Sequence, residues 1–232
     1  QHYDAVEFTM DRRFSSNWSL LASYRLSRLF GNYEGFYRDD NGQSDPALTS
    51  LYDFPTNDPT YTSIGGAQFG WLGDIRFLGA MGEGRLPLDR PHQLKIFRSY
   101  AVDNGLNLGV GLTGVSGVPL TALAGLPPYG NDSEIPLTPR GGGFETVDGF
   151  KTRTPAEWKA DMQASYGVSF GGRRLTLIAD AFNLFNMRRP TSYNAAVEYP
   201  IVGVANPDFG THTNANVSGQ FYQTPFQLRL GA

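Results

Sequence analysis

The residues of this chain that could do chemistry are few, and their spacing does not suit catalysis or metal binding. The three histidines, His2, His92 and His212, lie far apart and match neither HExxH nor another paired zinc spacing. His92 follows an Asp-Arg-Pro triplet at the start of a predicted strand, where we interpret it as an interfacial anchor. The chain contains no cysteine, which excludes thiolate metal sites, cysteine nucleophiles and disulfide scaffolds.

Three further stretches resemble functional motifs but leave them incomplete. GVSG (114–117) lacks the last glycine of a nucleophile elbow, and PRGGGFE (139–145) lacks the Lys-Ser/Thr of a phosphate-binding loop. DDNGQSD (39–45) has oxygen-bearing side chains at alternate positions, as in a calcium loop, but lacks the glycine at the sixth position and the distal glutamate. The four side chains at these alternate positions are Asp39, Asn41, Gln43 and Asp45. We therefore expect a solvated turn there, no metal or other cofactor, and no enzymatic activity.

One set of polar side chains remains, at alternate positions on predicted neighbouring strands. Its members, the polar set, are Lys159, Asp161, Gln163, Asp180 and Arg229. We expect them to face a lumen and to pair charges between strands. A contact with a transported substrate is the alternative role. The net charge of −3 does not suggest a nucleic-acid partner.

The strand that carries three of these five residues shows a two-faced pattern. WKADMQASYGVSF (158–170) alternates apolar with polar or small residues throughout, which predicts a strand with one apolar and one polar face. It is also about twice the usual length of a strand in a globular protein. Residues 92–102 alternate in the same way, although Arg98 interrupts their apolar face.

Alternation predicts seven strands in all, with neighbours in sequence order. They cover residues 3–14, 17–30, 90–102, 106–116, 157–170, 174–186 and 223–232. The charge-free stretch 106–130 holds six glycines and three prolines, so we interpret it as a strand and a loop and not as a membrane helix.

The connections between these strands alternate strictly between short and long. The short ones have the Asn, Asp or Gly residues of hairpin turns and cover 15–17, 103–105 and 171–173. The long ones cover 30–91, 115–157 and 187–223. Compact soluble domains rarely contain even one structureless loop beyond about 15 residues, whereas outer-membrane barrels pair short periplasmic turns with long extracellular loops.

The apolar face is therefore predicted to meet lipid, in preference to the core of a soluble all-β domain. Aromatic residues near the strand ends are predicted to anchor that face at the membrane surface. They are Trp18, Tyr100, Trp158, Tyr166 and Phe170. Only 18% of the residues are charged, below the roughly 25% typical of soluble domains. The predicted fold is an all-β, antiparallel, up-and-down segment of a transmembrane barrel.

Four stretches also resemble a known family. YDAVEFTMDRRFSSNWSLLASYRLSRLFGNYEG (3–35), NGQSDP (41–46), LPLDRPHQLKIFRSY (86–100) and LTLIADAFNLFN (175–186) look like the C-terminal barrel of TonB-dependent outer-membrane receptors. The group they resemble is the Oar-like type, which carries an N-terminal carboxypeptidase-regulatory-like domain. The DRPH strand start and the FNLFN strand end are the most specific features, and the resemblance covers nearly the whole chain.

The resemblance implies a barrel of 22 strands around an N-terminal plug, in the outer membrane of a bacterium. Residues 1–232 would form the C-terminal part of this single barrel domain, continuing for a few more residues, and would lack the plug and the N-terminal domains. The implied partners are the rest of the barrel and the plug, the periplasmic energy-coupling protein TonB, and outer-membrane lipid or lipopolysaccharide.

Two functions are consistent with these features. The first is energy-coupled passage of a bulky substrate through the barrel. The second is a structural or adhesive scaffold, which binds a partner protein or glycan through its loops and transports nothing. The loop stretches 51–73 and 194–210 are rich in aromatic residues, Asn, Gly and Pro, a composition that suits either function.

Overall fold

A computed structural model provides the structure of the chain. It describes residues 1–31, 63–64, 67–68, 84–126, 131–136, 141, 152–198, 204–211 and 222–232. His212, the DDNGQSD stretch (39–45) and all of PRGGGFE (139–145) except Gly141 lie outside the described residues.

The regular secondary structure of the described residues consists of β-strands. In chain order these are β1 (His2–Ser15), β2 (Trp18–Gly31), β3 (Ser63–Ile64), β4 (Ala67–Gln68), β5 (Gly84–Arg85), β6 (His92–Val102), β7 (Leu106–Val115), β8 (Leu123–Leu126), β9 (Asn131–Pro136), β10 (Glu157–Phe170), β11 (Arg173–Phe182) and β12 (Gln227–Gly231). None of the described residues belongs to a helix long and apolar enough to cross a membrane.

The long strands form one antiparallel sheet in the predicted order. Their sequence across the sheet is β1-β2-β6-β7-β10-β11-β12, and the short β5 pairs with β2 as an eighth member. The prediction of an all-β, antiparallel, up-and-down sheet is confirmed. The remaining short strands form two separate hairpins, β3–β4 and β8–β9, inside stretches that were predicted as structureless loops.

Two predicted strand boundaries were wrong. The strand predicted to run to residue 186 ends at Phe182, because Asn183 and Asn186 have positive φ angles of 49° and 48° and turn the chain out of the sheet. The last strand was predicted over 223–232, but its pairing with β11 covers only Gln227–Gly231.

The three tight turns have the backbone geometry that their residues favour. Ser16 and Asn17 between β1 and β2 have φ angles of 49° and 69°, and Gly171 and Gly172 between β10 and β11 have 60° and 74°. Two successive positive φ angles match the right-handed twist of the flanking strands. All three turns lie at one end of the sheet, the turn end, and the long connections lie at the other, the loop end.

The register separates the side chains of the main sheet into an apolar and a polar face. One row of paired residues reads Tyr100, Leu108, Ala164, Ala179 and Leu230 across β6, β7, β10, β11 and β12. The adjacent row on the other face reads Ser99, Gly109, Gln163, Asp180 and Arg229. A shift by one residue would exchange the two faces, so the alternation of the sequence specifies this register.

The apolar face is exposed, and no part of the described chain covers it. Phe170 is 84% exposed and Leu230 72%, and large apolar residues along β1, β2, β7 and β10 are also exposed. Most of the buried apolar residues lie instead in the connections at the loop end. They are Leu86, Leu120, Ala122, Leu123 and Ala196, joined by Ala160 of β10. An apolar surface this extensive marks a membrane or protein contact.

A pair of arginine substitutions on β10 tests the assignment of the two faces. Ala164 lies in the middle of the apolar face, whereas its neighbour Gln163 donates a hydrogen bond to Asp180 on the polar face. We expect Ala164→Arg to lower the free energy of unfolding in a bilayer by about 2–4 kcal/mol and Gln163→Arg by much less. Urea unfolding of the full-length protein in lipid measures both values. Equal costs at the two positions would contradict the assignment.

The two outermost strands give a second prediction. Within the described residues β1 pairs only with β2, and β12 only with β11. In hydrocarbon an unpaired backbone edge costs several kcal/mol per group, so an open sheet is not stable there. We expect these 232 residues, expressed alone and refolded in detergent, to give no heat-modifiable monomer on a gel. A compact monomer whose mobility changes on boiling would show that the segment closes by itself.

Candidate functional site

The polar face carries a cavity that brings most of the polar set together. Its volume is about 580 Å³, and Asp161, Gln163, Asp180 and Arg229 are among its lining residues. Gln163 donates from Nε2 to Asp180 Oδ1 at 2.7 Å. Arg229 donates from Nε and Nη2 to Asp180 Oδ2 at 2.9 and 2.7 Å. Asp180 thus joins three neighbouring strands.

The other two members of the polar set form an adjoining group nearer the loop end. Lys159 Nζ lies 3.1 Å from Asp161 Oδ2, and the backbone N–H of Asn183 donates to Asp161 Oδ1 at 2.8 Å. The ring of Phe182 lies between the two groups. Its centroid is 5.5 Å from Lys159 Nζ and 5.7 Å from the guanidinium carbon of Arg229. The structure thus places the whole set within one connected surface.

The charges of this arrangement are balanced within the described strands. Two carboxylates and two cations neutralise one another, and the carboxylate of the 4%-exposed Asp180 has three donors. A buried carboxylate with this many donors is held in one orientation. No group of three metal-ligating side chains occurs among the described residues. The surface offers hydrogen bonds and balanced charge to a polar solute or to another protein segment.

Asn183, which strand alternation did not single out, links three parts of the loop end. Its side-chain Nδ2 donates to the carbonyls of Met187 and Thr224 at 2.9 and 2.7 Å, and its Oδ1 accepts from the N–H of Met187 at 2.9 Å. The residue is only 2% exposed. Asn tolerates the left-handed backbone better than most residues because its short side chain can bond locally.

The rest of the FNLFN stretch continues this junction. Leu184 donates its backbone N–H to the carbonyl of Ala160 on β10 at 2.7 Å. Asn186 Oδ1 accepts the N–H of Phe226, just before β12, at 3.1 Å. The motif therefore ties the end of β11 to both of its neighbouring strands. Its regular alternation in sequence gave no indication of this turn.

A second junction surrounds the DRPH stretch at the start of β6. Asp89 is 2% exposed, accepts the N–H of Leu29 on Oδ1 at 2.7 Å, and forms an ion pair with Arg153 through Oδ2. Arg153 also donates to the carbonyls of Asp89 and Gly117 at 2.7 and 3.0 Å. This pair joins β2 to two long connections, the one that holds Asp89 and the one that holds Arg153.

Arg90 and His92 extend the same junction to further strands. Arg90 Nη1 donates to Glu157 Oε1 on β10 at 2.7 Å and to the carbonyl of Ser116 at 2.9 Å. His92 Nδ1 lies 2.7 Å from the hydroxyl of Tyr24, and the two rings stack with centroids 6.2 Å apart. Both rings lie on the apolar face, and His92 is at the start of β6, where it was predicted as an interfacial anchor.

Folded segments from two long connections pack together at the loop end. Leu123 donates to the carbonyl of Ala195 and accepts from Val197, both at 2.9 Å. Asn206 donates from Nδ2 to the carbonyl of Ala196 at 2.7 Å and to Asn194 Oδ1 at 3.3 Å. Part of the 194–210 stretch, predicted as an open loop, is therefore ordered against residues 119–123.

The predicted anchors lie on the apolar face at two levels. Trp158 is at the loop end, with its ring directly over Gly114, where any Cβ would collide with it. The other four lie towards the turn end. They are Trp18, Tyr100, Tyr166 and Phe170. Two aromatic levels separated by aliphatic side chains are typical of a surface that crosses a bilayer.

Comparison with known proteins identifies the family. No family model matches the chain. The TonB-dependent transporter Oar of Myxococcus xanthus is 31% identical to it over 195 residues, which cover 81% of this chain and 15% of the relative. Over most of its length the chain matches the Oar-like type of TonB-dependent receptor. The resemblance expected from the DRPH and FNLFN stretches is confirmed.

The chain spans only 15% of the length of this curated relative, which is named a TonB-dependent transporter. Among solved structures, the closed form of the ferric-catecholate import receptor Fiu from Escherichia coli K12 is similar, with a TM-score of 0.42 and 14% identity. That similarity covers 82% of this chain and 17% of Fiu.

The FNLFN junction of this TonB-dependent receptor segment gives a stability prediction. Asn183→Ala removes three hydrogen bonds from a buried site and places an alanine at positive φ. We expect the free energy of unfolding of the full-length protein to fall by about 2–4 kcal/mol. Asn183→Gly relieves the backbone strain and should cost about 1 kcal/mol less than Asn183→Ala. Asn107→Ala, at an exposed position on β7, is the control, and an equal effect there would contradict the role of Asn183.

The DRPH junction gives a second stability prediction. Asp89→Ala leaves the guanidinium of Arg153 without its carboxylate and the N–H of Leu29 without its acceptor. Removing one partner of a buried ion pair costs about 3–5 kcal/mol. We therefore expect the free energy of unfolding of the full-length protein, measured in urea, to fall by this amount. Asp103→Ala in an exposed turn should change the value by less than about 0.5 kcal/mol. A cost at Asp89 no larger than at Asp103 would refute the junction.

Proposed function

We propose that this chain is the C-terminal part of the barrel domain of a transporter in the bacterial outer membrane, which passes a bulky substrate with energy supplied through TonB. The observation that carries the proposal is the two-faced sheet in a chain 31% identical to a TonB-dependent transporter. One face carries exposed large apolar side chains on each of the seven long strands, and the opposite face carries the polar set and its cavity.

The exposed apolar face supports a position in lipid. Exposed Phe8 and Met10 on β1, and Leu228 and Leu230 on β12, continue the apolar face to both outer strands. A surface of this kind is stable in a bilayer and prone to aggregation in water. The two levels of aromatic anchors fit the two surfaces of a membrane. The unpaired outer edges of β1 and β12 fit strands supplied by the rest of a larger barrel.

The polar face supports a role as the wall of a transport path. Asp161 and Asp180 are neutralised by Lys159 and Arg229, so the wall presents hydrogen-bonding groups without strong net charge. Such a surface can contact a plug or a passing solute weakly enough to release it, because most of its charges are already paired within the wall. In this proposal the polar set holds the wall rigid while the plug moves.

The ends of the sheet support an orientation. The tight turns would face the periplasm, and the long connections would face the cell exterior, where loops bind ligands in barrels of this class. The packed segments 119–123 and 194–197 would lie on the exterior side, available to lipopolysaccharide, a glycan or a partner protein.

Cysteine labelling in cells tests the transport proposal, because the chain has no cysteine of its own. Ser165 lies on the polar face and Ala164 beside it lies on the apolar face. In the full-length protein without other cysteines, we expect a membrane-impermeant maleimide to label Ser165→Cys faster when TonB is present and energised. TonB pulling on the plug would expose the wall to solvent, so labelling should slow when TonB is deleted.

The matched control is Ala164→Cys, whose labelling should be slow with and without TonB because its side chain faces lipid. If Ser165→Cys reacts at the same rate in both strains, the proposal of energy-coupled transport is rejected. A receptor that remains in the outer membrane with this TonB-independent labelling would be a scaffold that acts through its loops.

A further inference from the structure

Two arginines interrupt the apolar face close to the turn end. Arg12 of β1 and Arg98 of β6 both lie opposite Leu20, the central residue between them on β2. All three side chains therefore belong to the same face of the sheet. The apolar residues Met10 and Ile96 precede the arginines on their own strands, on the side away from the turns.

Both guanidinium groups lie against one aromatic ring. The guanidinium carbon of Arg12 is 3.8 Å from the centroid of the Trp18 ring, and that of Arg98 is 5.1 Å from it. Trp18 is the first residue of β2 after the tight turn. Cation–π attraction to a tryptophan holds arginine side chains in place and leaves their N–H groups free to donate. Two cations are thus held side by side at the turn end.

The described part of the chain supplies no anion to this pair. Its ion pairs all lie elsewhere, and Arg12 has one side-chain hydrogen bond, from Nη2 to Ser15 Oγ at 3.3 Å. The Nε of Arg12 is buried and has no hydrogen-bond partner among the described residues. Two neighbouring like charges without an acceptor are unfavourable, which indicates an anionic partner outside the described chain.

An arginine at the other end of the same face provides a contrast. Arg28 of β2 also stacks on an aromatic ring, with its guanidinium carbon 4.5 Å from the centroid of Phe30. In the register, however, Arg28 lies opposite Asp4 of β1. A carboxylate therefore faces the arginine at the loop end, whereas aliphatic Leu20 lies between the two arginines at the turn end.

We propose that Arg12, Trp18 and Arg98 bind the phosphate group of a bilayer phospholipid in the leaflet at the turn end. Arginines on a lipid-facing surface extend to the level of the headgroups, and the guanidinium fork matches the geometry of a phosphate. The acyl chains of that lipid would lie along the aliphatic surface of Leu20, Ile96 and Val110 on the same face. This site rests on the proposed position of the apolar face in a membrane.

Native mass spectrometry of the full-length protein in detergent tests the site. The protein is titrated with phosphatidylglycerol and, separately, with diacylglycerol that has the same acyl chains but no phosphate. We expect phosphatidylglycerol to bind at least about tenfold more tightly, since two arginines contact its headgroup. Inorganic phosphate at millimolar concentration is added as a competitor and should not displace the lipid.

Matched variants assign the binding to the two arginines. Arg12→Gln/Arg98→Gln should raise the dissociation constant for phosphatidylglycerol about 30-fold, whereas Arg28→Gln should change it less than about twofold. Arg12→Lys/Arg98→Lys keeps both charges without the guanidinium fork, so we expect an intermediate loss of about threefold. This lysine variant and the wild-type lipid comparison decide the question even if the glutamine variant does not assemble.

Three results would contradict the proposed site. The first is equal affinity of the wild-type protein for both lipids, and the second is an equal effect of Arg28→Gln and of the double glutamine variant. The third is full affinity for phosphatidylglycerol in both the double lysine and the double glutamine variants. Displacement of the lipid by inorganic phosphate would show a site for free anions instead. Failure of the proposed membrane position looks different, because the full-length protein would then be absent from the outer-membrane fraction and would not be heat-modifiable.

Discussion

The constraint on which the whole structure depends is that a strand pairs its backbone with both neighbours while presenting different side chains to its two sides. Backbone pairing fixes the register, and the register decides which residue faces which environment. In β10 this places Met162 and Ala164 on the exposed apolar face, and Asp161 and Gln163 on the polar one. The same pairing makes the Gln163–Asp180–Arg229 contacts possible, because those three residues lie side by side on successive strands. Both the proposed membrane contact and the candidate transport wall follow from one pattern of hydrogen bonds.

Pairing alone does not decide where each strand stops, and the structure assigns that role to polar side chains at the loop end. Asn183 fixes the end of β11 against the segment leading to β12, and Asp89 with Arg153 fixes the start of β6 between its neighbours. The side chains of Asn183 and Asp89 are almost fully buried. Water cannot compensate polar groups there, so each junction is stable only when all of its partners are in place. The turn end needs no such junctions, because short turns with positive φ angles connect the strands directly.

The faces and order of the strands could be predicted from sequence because they depend on residues close together in the chain. Alternation over 158–170 and the Gly171-Gly172 pair are sufficient to predict β10 and its turn. The junctions depend on distant partners, as with Asn183 and Thr224, or Asp89 and Arg153, and no local pattern indicates such pairs. FNLFN even continues the alternation of β11, so the left-handed turn at Asn183 was predicted as strand. Members of the polar set could be named because alternation places them on one face, but the central position of Asp180 becomes visible only with the register.

The same separation of local and distant information explains the arginines of the apolar face. Alternation shows that Arg98 interrupts an apolar row, but a single charge on such a row does not by itself indicate a binding site. The register places Arg12 two strands away at the same level, and Trp18 contacts both guanidinium groups. The two arginines therefore form one candidate site. A charge on a lipid-facing surface is costly in the middle of a bilayer, and that cost falls where the side chain reaches the headgroups. In the proposed membrane position, two arginines at one level beside a tryptophan would therefore mark a boundary of the bilayer as well as a phosphate contact.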